Sequence, residues 1–253
     1  MRFSDKVLYK LGLGRAWLAR RTWSAPAQTS RSVVHRDPYV FLITSTINTS
    51  VRPLNRAGSQ IRSVYNSDER FDQTLDTVSS IRDRVPGARI LLLENSQLSD
   101  AQRVTLRDAV DELIEFAGDH VAVALRDGPH KNSAELYVLL HALGVLEAYD
   151  FQLVFKLSGR YQLSDRFDLA RFPRDKFGFL KIDDTVSTRL YSVPGSFRLL
   201  YRRQLEASFA ATNLGVSVED VIARGLAPAE VGVVDPLGVC GTVAVSAASR
   251  IDE

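Results

Sequence analysis

The stretch FQLVFKLSGRYQLSDRF, residues 151–167, decides the fold. FQLVFKL is a short, nearly continuous apolar run, the pattern of a strand buried on both faces. A tight polar turn, SGRY, follows it, and then a polar segment. In open α/β sheets ligands sit beyond the carboxyl ends of such strands. The turn therefore places Ser158, Gly159, Arg160 and Tyr161 where chemistry is expected. Glycine permits a turn with close ligand approach.

Reading outward, the preceding sequence alternates strand and helix patterns. PYVFLITST is an apolar, β-branched run that predicts a buried strand. DERFDQTLDTVSSIRDRV sets Phe71, Leu75, Val78 and Ile81 on one helical face, and Pro86 and Gly87 stop it. ARILLLENS predicts a second buried strand. SDAQRVTLRDAVDELIEFA predicts a helix with Ser99 as its N-cap, and HVAVAL predicts a third strand. KNSAELYVLLHALGVLEAYD predicts the next helix, and FQLVFKL is then the fourth strand. This alternation argues for an α/β fold with a mostly parallel central sheet and helices on both faces. Beyond Tyr161 the pattern loosens. KFGFLKI, STRLYSVP and VGVVDPLGVCGTVAV predict strands, and SFRLLYRRQLEASFAAT and SVEDVIARGL predict helices, in a mixed C-terminal half.

Composition limits the function classes. The 253 residues are 45% hydrophobic and 25% charged, a globular profile able to bury a sizeable core. The net charge of +2 is uneven. Residues 1–31 carry seven basic side chains against Asp5 alone, a balance of +6 that leaves −4 for the rest. The body thus lacks the basic balance of a nucleic-acid binder. The arm MRFSDKVLYKLGLGRAWLARRTW is basic, with Trp17 and Trp23, and suits either peripheral contact with an anionic membrane face through residues 1–23 or packing on the body or a partner. Gly12 and Gly14 weaken a helix there, and SAPAQTSRS follows as a linker. No apolar run approaches the ~20 residues of a membrane span, and no secretory signal pattern opens the chain. The single Cys240 forms no internal disulfide, and with no cysteine–histidine cluster a cytoplasmic setting is expected. Neither GxSxG, nor a Walker A loop, nor a dinucleotide-binding glycine pattern occurs.

The order of these landmarks resembles the nucleotide-binding half of GT-A-type glycosyltransferases, from about Tyr39 to Phe167. A first strand ends in a Thr/Ser-rich turn, FLITSTINTS, and a helix QTLDTVSSI follows. A second strand ends in LLLENSQLSD, then comes ALRDGPHKNSAELYVLLHA, and a last strand, LVFKLSGRY, leads into the D-x-D region. The resemblance implies a basic arm and linker at residues 1–36 and one catalytic domain at 37–253. Its nucleotide-binding half would be 37–167 and its acceptor half 168–253. It implies transfer of a sugar from a nucleotide-sugar donor to a hydroxyl acceptor, in surface polysaccharide or glycolipid synthesis. The alternative is a non-catalytic module that binds a nucleotide sugar or carbohydrate. Thr44, Ser45 and Thr46 would line base and ribose, with Glu94 and Asn95 hydrogen-bonding one or the other. The departure lies at Ser158–Tyr161, where the family's metal-binding D-x-D is replaced by Ser-Gly-Arg-Tyr. Arg160 would then hold the diphosphate in place of Mn²⁺ or Mg²⁺, helped by Lys131, Arg52 or Arg56, since guanidinium makes bidentate bonds to phosphate. Tyr161 would stack on or hydrogen-bond a sugar. The plain alternative for Arg160 is a surface pair with Asp165.

Further carboxylates compete for the base. Asp183 and Asp184, in KIDDT, bind a divalent cation, supply a base or simply form a turn. Glu219 lies where inverting members of the family place the base, whereas Ser217 and Asp220 read as a helix cap. Arg189 and Tyr191 alternate along STRLY and share one face. His130 falls at the proposed cleft, His141 in an apolar helix, and Cys240 in an apolar run that suits a buried structural thiol.

Overall fold

The computed structural model describes residues 35–48, 64–128, 131–243 and 246–253. The basic arm, Arg52, Arg56 and His130 lie outside the described residues.

In chain order the elements are β1 (His35–Arg36), β2 (Tyr39–Ser45), α1 (Ser67–Arg84), β3 (Arg89–Glu94), α2 (Asp100–Ala109), β4 (Glu112–Glu115), α3 (His120–Arg126) and α4 (Lys131–Val145). Then come β5 (Tyr149–Asp150), β6 (Leu153–Ser158), β7 (Tyr161–Leu163), β8 (Phe177–Phe179), β9 (Lys181–Ile182), β10 (Thr185–Val186) and β11 (Leu190–Pro194). The last are α5 (Arg198–Thr212), α6 (Val218–Gly225), β12 (Val231–Val233), β13 (Val239–Val243) and β14 (Ser246–Asp252).

The central sheet has seven strands in the order β12-β8-β11-β6-β2-β3-β4. It is mostly parallel; β11 alone runs against its two neighbours, β6 and β8. Successive side chains of a strand point to opposite faces, so each central strand feeds two cores. Val40, Leu42, Leu91, Leu93 and Val154 pack with α3, α4, α5 and α6 on one face. Phe41, Ile43, Ile90, Leu92, Phe155 and Leu157 pack with α1 and α2 on the other. This double burial explains why β2, β3 and β6 read as unbroken apolar runs. Among the described residues no helix is long and apolar enough to cross a membrane.

One segment differs from expectation. HVAVAL is helix α3 and not a strand, and the third parallel strand is the earlier ELIE of β4. The cause is local capping: the Asp119 carboxylate accepts from the amides of Val121 at 2.8 Å and Ala122 at 3.2 Å. Six apolar residues carry no period that separates helix from strand, so the cap decides. Helix α2 stops at Ala109, and Asp111 then ties the chain to β3 through the Ile90 amide (2.8 Å) and to α1 through Arg82 (2.9 Å). The alternation of strand and helix is kept, with its register moved.

Candidate active site

The strand ends define the site. In register, Thr44 lies opposite Ser158 of β6 and Leu93 of β3, while Ser45 lies opposite Glu94. Beyond these ends opens a cleft of about 500 Å³. Its floor is made by Thr44, Ser45, Thr46 and the 158–161 turn; Arg70, Asn95, Glu135, Arg189 and Glu219 line it further out. Ser158, Gly159, Arg160 and Tyr161 are thus brought to one place with Thr44–Thr46 and Asn95, as the sequence suggests.

Gly159 is needed for a reason other than ligand approach. Its amide donates to the Thr44 carbonyl at 2.9 Å. A Cβ there would lie 3.2 Å from both the Thr44 carbonyl oxygen and Ile43 Cγ2. The turn is therefore pressed onto β2, and Thr74 Oγ1 holds it from α1 by donating to the Gly159 carbonyl at 3.2 Å. Tyr161 is buried, with the Arg160 and Arg189 guanidinium carbons 6.0 and 5.8 Å from its ring centroid.

Arg160 does not pair with Asp165, which bonds Arg84 instead. Among the described residues its guanidinium has neither a salt bridge nor a hydrogen bond. Arg70, a residue that sequence reasoning missed, stands beside it. Its Nε donates to the Thr46 carbonyl at 2.6 Å and it makes no salt bridge among the described residues. Burial, and then the positive charge of Arg160, lower the Arg70 pKa to about 10 despite the opposing pull of Glu94. Two guanidiniums held close enough to repel, neither in a salt bridge among the described residues, form a place for an anion.

Glu94 does not line the cleft. It is fully buried, and its Oε1 accepts from the amides of Ile47 (3.0 Å) and Ser96 (2.8 Å) and from the Ser96 hydroxyl. Burial raises its pKa above the ordinary carboxylate value, with the bonds from Ser96 and Ile47 working against that rise. Its work is to shape the turn after β2. Its neighbour Asn95 is buried yet faces the cleft, and its Oδ1 has no hydrogen-bond partner.

Of the carboxylates that do line the cleft, Asp127, Glu135 and Glu219, Glu135 lies in the first turns of α4. Its Oε1 accepts from Lys156 Nζ at 2.5 Å and from the Thr44 hydroxyl at 2.8 Å. The Lys156 side chain is only 2% exposed, and Nζ also donates to Ser158 Oγ (2.8 Å) and to the Thr188 carbonyl (2.7 Å). All three ammonium protons are therefore used. Burial works to raise the Glu135 pKa, but the charge and hydrogen bond of Lys156, the Thr44 hydroxyl and the charge of Arg160 outweigh it, and the net shift is downward. The backbone of Lys131 opens α4, and its side chain is outside what is described.

Glu219, which also lines the cleft, sits in the first turn of α6 and accepts from the Thr188 hydroxyl at 2.9 Å. Asp220 belongs to the cap of that helix, its amide donating to Ser217 Oγ at 3.1 Å. Asp183 and Asp184 are exposed and do not line the cleft. They are the two-residue turn of the β9–β10 hairpin, with Asp183 at φ 51°. Such turns need positive φ, which aspartate tolerates better than most residues. Arg189 reaches the cleft from just before β11 and bonds Glu253, whereas Tyr191 is buried in the core. Cys240 is half-buried in β13.

A divalent cation of the kind the GT-A resemblance implies does not fit these residues. Among the described residues no three Asp, Glu, His or Cys side chains converge. At the turn itself the groups present are Lys156, Arg160 and Arg70, and the nearby Glu135 already binds an ammonium. Hard cations need several oxygen ligands, and this corner is cationic.

No protein-family model matches the sequence, and no curated protein matches it. Solved structures with a similar fold include a galactosyltransferase, LgtC, in complex with donor and acceptor sugar analogs. It is 12% identical, with a TM-score of 0.44 over 77% of this chain and 72% of that one. A transferase solved as a mutant with cysteines replaced by serine is 10% identical, with a TM-score of 0.41 over 79% of this chain and 88% of that one. A mannosyltransferase from Pyrobaculum calidifontis, in complex with GDP-Man and Mn²⁺, is 9% identical, with a TM-score of 0.38 over 81% of this chain and 61% of that one. Likenesses this distant decide nothing about substrate or chemistry.

Proposed function

We propose that this chain transfers a sugar from a nucleotide-sugar donor to a hydroxyl acceptor, in surface polysaccharide or glycolipid assembly, without a divalent cation. The observation that carries this reading is the cleft beyond the parallel strand ends, in which Arg70 and Arg160 stand close enough to repel and neither makes a salt bridge among the described residues. Negative charge grows on the leaving nucleoside diphosphate during transfer, and a preorganised cation lowers that barrier. Arg160 and Arg70 supply it. Thr44–Thr46 and Asn95 orient the nucleoside end, with Ser158 and Tyr161 beside it. Glu219, which lines the same cleft, takes the proton of an acceptor hydroxyl. Positioned bases contribute on the order of 10²–10⁴-fold. Asp183 and Asp184, on the hairpin turn, have no part in this scheme.

The test is thermal unfolding of the full chain with UDP, GDP, CMP and dTDP, each with Mn²⁺ and with EDTA, for wild type and Arg160→Ala. Ligand at a hundred times its dissociation constant adds about 2.7 kcal/mol. For a chain of this size that raises the midpoint by about 5–10 °C. We expect one nucleoside diphosphate to give that shift in EDTA, and Arg160→Ala to abolish most of it. A shift that requires Mn²⁺ would sink the metal-free reading. Binding that survives in EDTA without turnover of any donor would favour the non-catalytic module.

A further inference from the structure

The ion pair of the buried Lys156 with the half-buried Glu135 on the cleft lining has no role in the scheme above. Ion pairs taken out of water give little net stability, so a fully buried lysine in the middle of β6 asks for another reason. Lys156 spends all three donors on fixing its surroundings: Ser158 Oγ, the Thr188 carbonyl and Glu135 Oε1. Thr44 adds a second bond to the same oxygen at 2.8 Å. The other oxygen of Glu135, Oε2, has no partner among the described residues, on a side chain 30% exposed that lines the cleft. One oxygen is anchored and the other is presented.

What would such a carboxylate take? Its charge is already offset by Lys156 and Arg160, so a third cation gains little there. Holding it ionised makes it a weak base, so proton abstraction is a poor use of it. It is a strong, fixed acceptor for neutral hydroxyl donors, as its bond from Thr44 shows. The adjoining Arg70 and Arg160 call for phosphate. A ligand that satisfies both neighbours carries hydroxyls a short distance from an anion.

We propose that Glu135 is a specificity-determining residue that accepts hydrogen bonds from the hydroxyls of the donor sugar, with Lys156 as the positioning residue that holds it. The assignment rests on the glycosyl-transfer reading and deepens it. The experiment is calorimetric titration of the full chain, in EDTA, with UDP, GDP and dTDP and with UDP-glucose, UDP-galactose, GDP-mannose and dTDP-glucose. In wild type the preferred nucleotide sugar binds more tightly than its own nucleoside diphosphate. Glu135→Gln is expected to weaken the nucleotide sugar by roughly 10- to 100-fold, the range of a charge-assisted bond, while leaving the nucleoside diphosphate unchanged. Should Glu135→Gln fail to fold beside an unpaired Lys156, the double variant Glu135→Gln/Lys156→Met removes both charges of the pair and must show the same selective loss. Equal weakening of both ligands, or no weakening of either, overturns the assignment. So does a wild type that binds the nucleoside diphosphate as tightly as every nucleotide sugar, an outcome that leaves the nucleotide site standing. A wild type that binds none of these compounds in EDTA overturns the metal-free donor reading and this assignment with it.

Discussion

Two carboxylates near the sheet's carboxyl end, one beneath the cleft lining and one on it, make an instructive pair. Glu94 ends β3 and Glu135 begins α4, and both lie within reach of the strand ends. Glu94 is fully buried among backbone amides and serine, with no lysine or arginine bonded to it; burial pushes its pKa up. Glu135 is bonded to Lys156, and the cations around it push its pKa down. The first carboxylate holds a turn; the second presents a charge. Nearness to the strand ends does not separate these roles, because Glu94 closes β3 and Glu135 reaches the end of β2 through Thr44. The balance of burial against partners does: amides and a serine do not offset the burial of Glu94, whereas the charge and hydrogen bond of Lys156 more than offset that of Glu135.

The largest effect that would break this contrast is on stability. Glu135→Ala leaves Lys156 buried and uncompensated, and removing one partner of a buried pair costs about 3–5 kcal/mol. Glu94→Gln stays neutral and keeps an acceptor for the Ile47 and Ser96 amides, so it is expected to cost less, on the order of 1–3 kcal/mol for an imperfectly satisfied buried amide. Urea unfolding of both variants at neutral pH measures the order. If Glu94→Gln were the more damaging, Glu94 would be the ion that the fold depends on, and the roles would be reversed.

The pH dependence sharpens the same contrast, because the two groups act with opposite sign. Glu94 has a folded pKa above the ordinary 4.5, so its contribution is fully present below pH 4.5 and is lost as pH rises through the folded value. Glu135 has a folded pKa below 4.5, so its contribution is present above pH 4.5 and is lost as pH falls through the folded value. Thermal midpoints between pH 3 and pH 8 should therefore show the gap between wild type and Glu94→Gln shrinking as pH rises, and the gap between wild type and Glu135→Gln growing. Two gaps that move together would mean that the two carboxylates share one electrostatic environment.

How much of this was legible in the sequence follows from what each signal encodes. Buried parallel strands were, because PYVFLI, RILLL and LVFKL carry few polar residues and double burial leaves no other pattern. The Ser158–Tyr161 turn and the run Thr44–Thr46 were legible as strand ends. Helix α3 was not, since its cap, Asp119, lies just outside the apolar run that suggested a strand. Glu135 and Arg70 were missed for a different reason: each sits in a helix far in sequence from its partner. A signal was present. Lys156 is a lysine inside a fully buried strand, which demands a carboxylate, and Glu135 interrupts the otherwise apolar AELYVLL. Matching the two required the topology, which lays α4 over β2, the strand beside β6.

The smallest expected effect concerns the carboxylates that sequence put nearest to the chemistry and the structure sets on a turn. Asp183 and Asp184 are solvent-exposed, and neither makes a salt bridge or a side-chain hydrogen bond among the described residues. Their identity is explained by the hairpin: β9 and β10 pair Ile182 with Thr185, which leaves two residues to reverse the chain, the first at φ 51°. Asparagine meets that backbone demand as well as aspartate does. Asp183→Asn/Asp184→Asn should therefore shift stability by no more than about 0.5 kcal/mol, and should leave nucleotide binding and sugar transfer as they are. The double variant assayed for unfolding and for turnover with and without Mn²⁺ decides it. A loss of turnover that added Mn²⁺ repairs would place a metal on the hairpin, and the cationic corner at Arg160 would then no longer be the only counter-charge for a diphosphate.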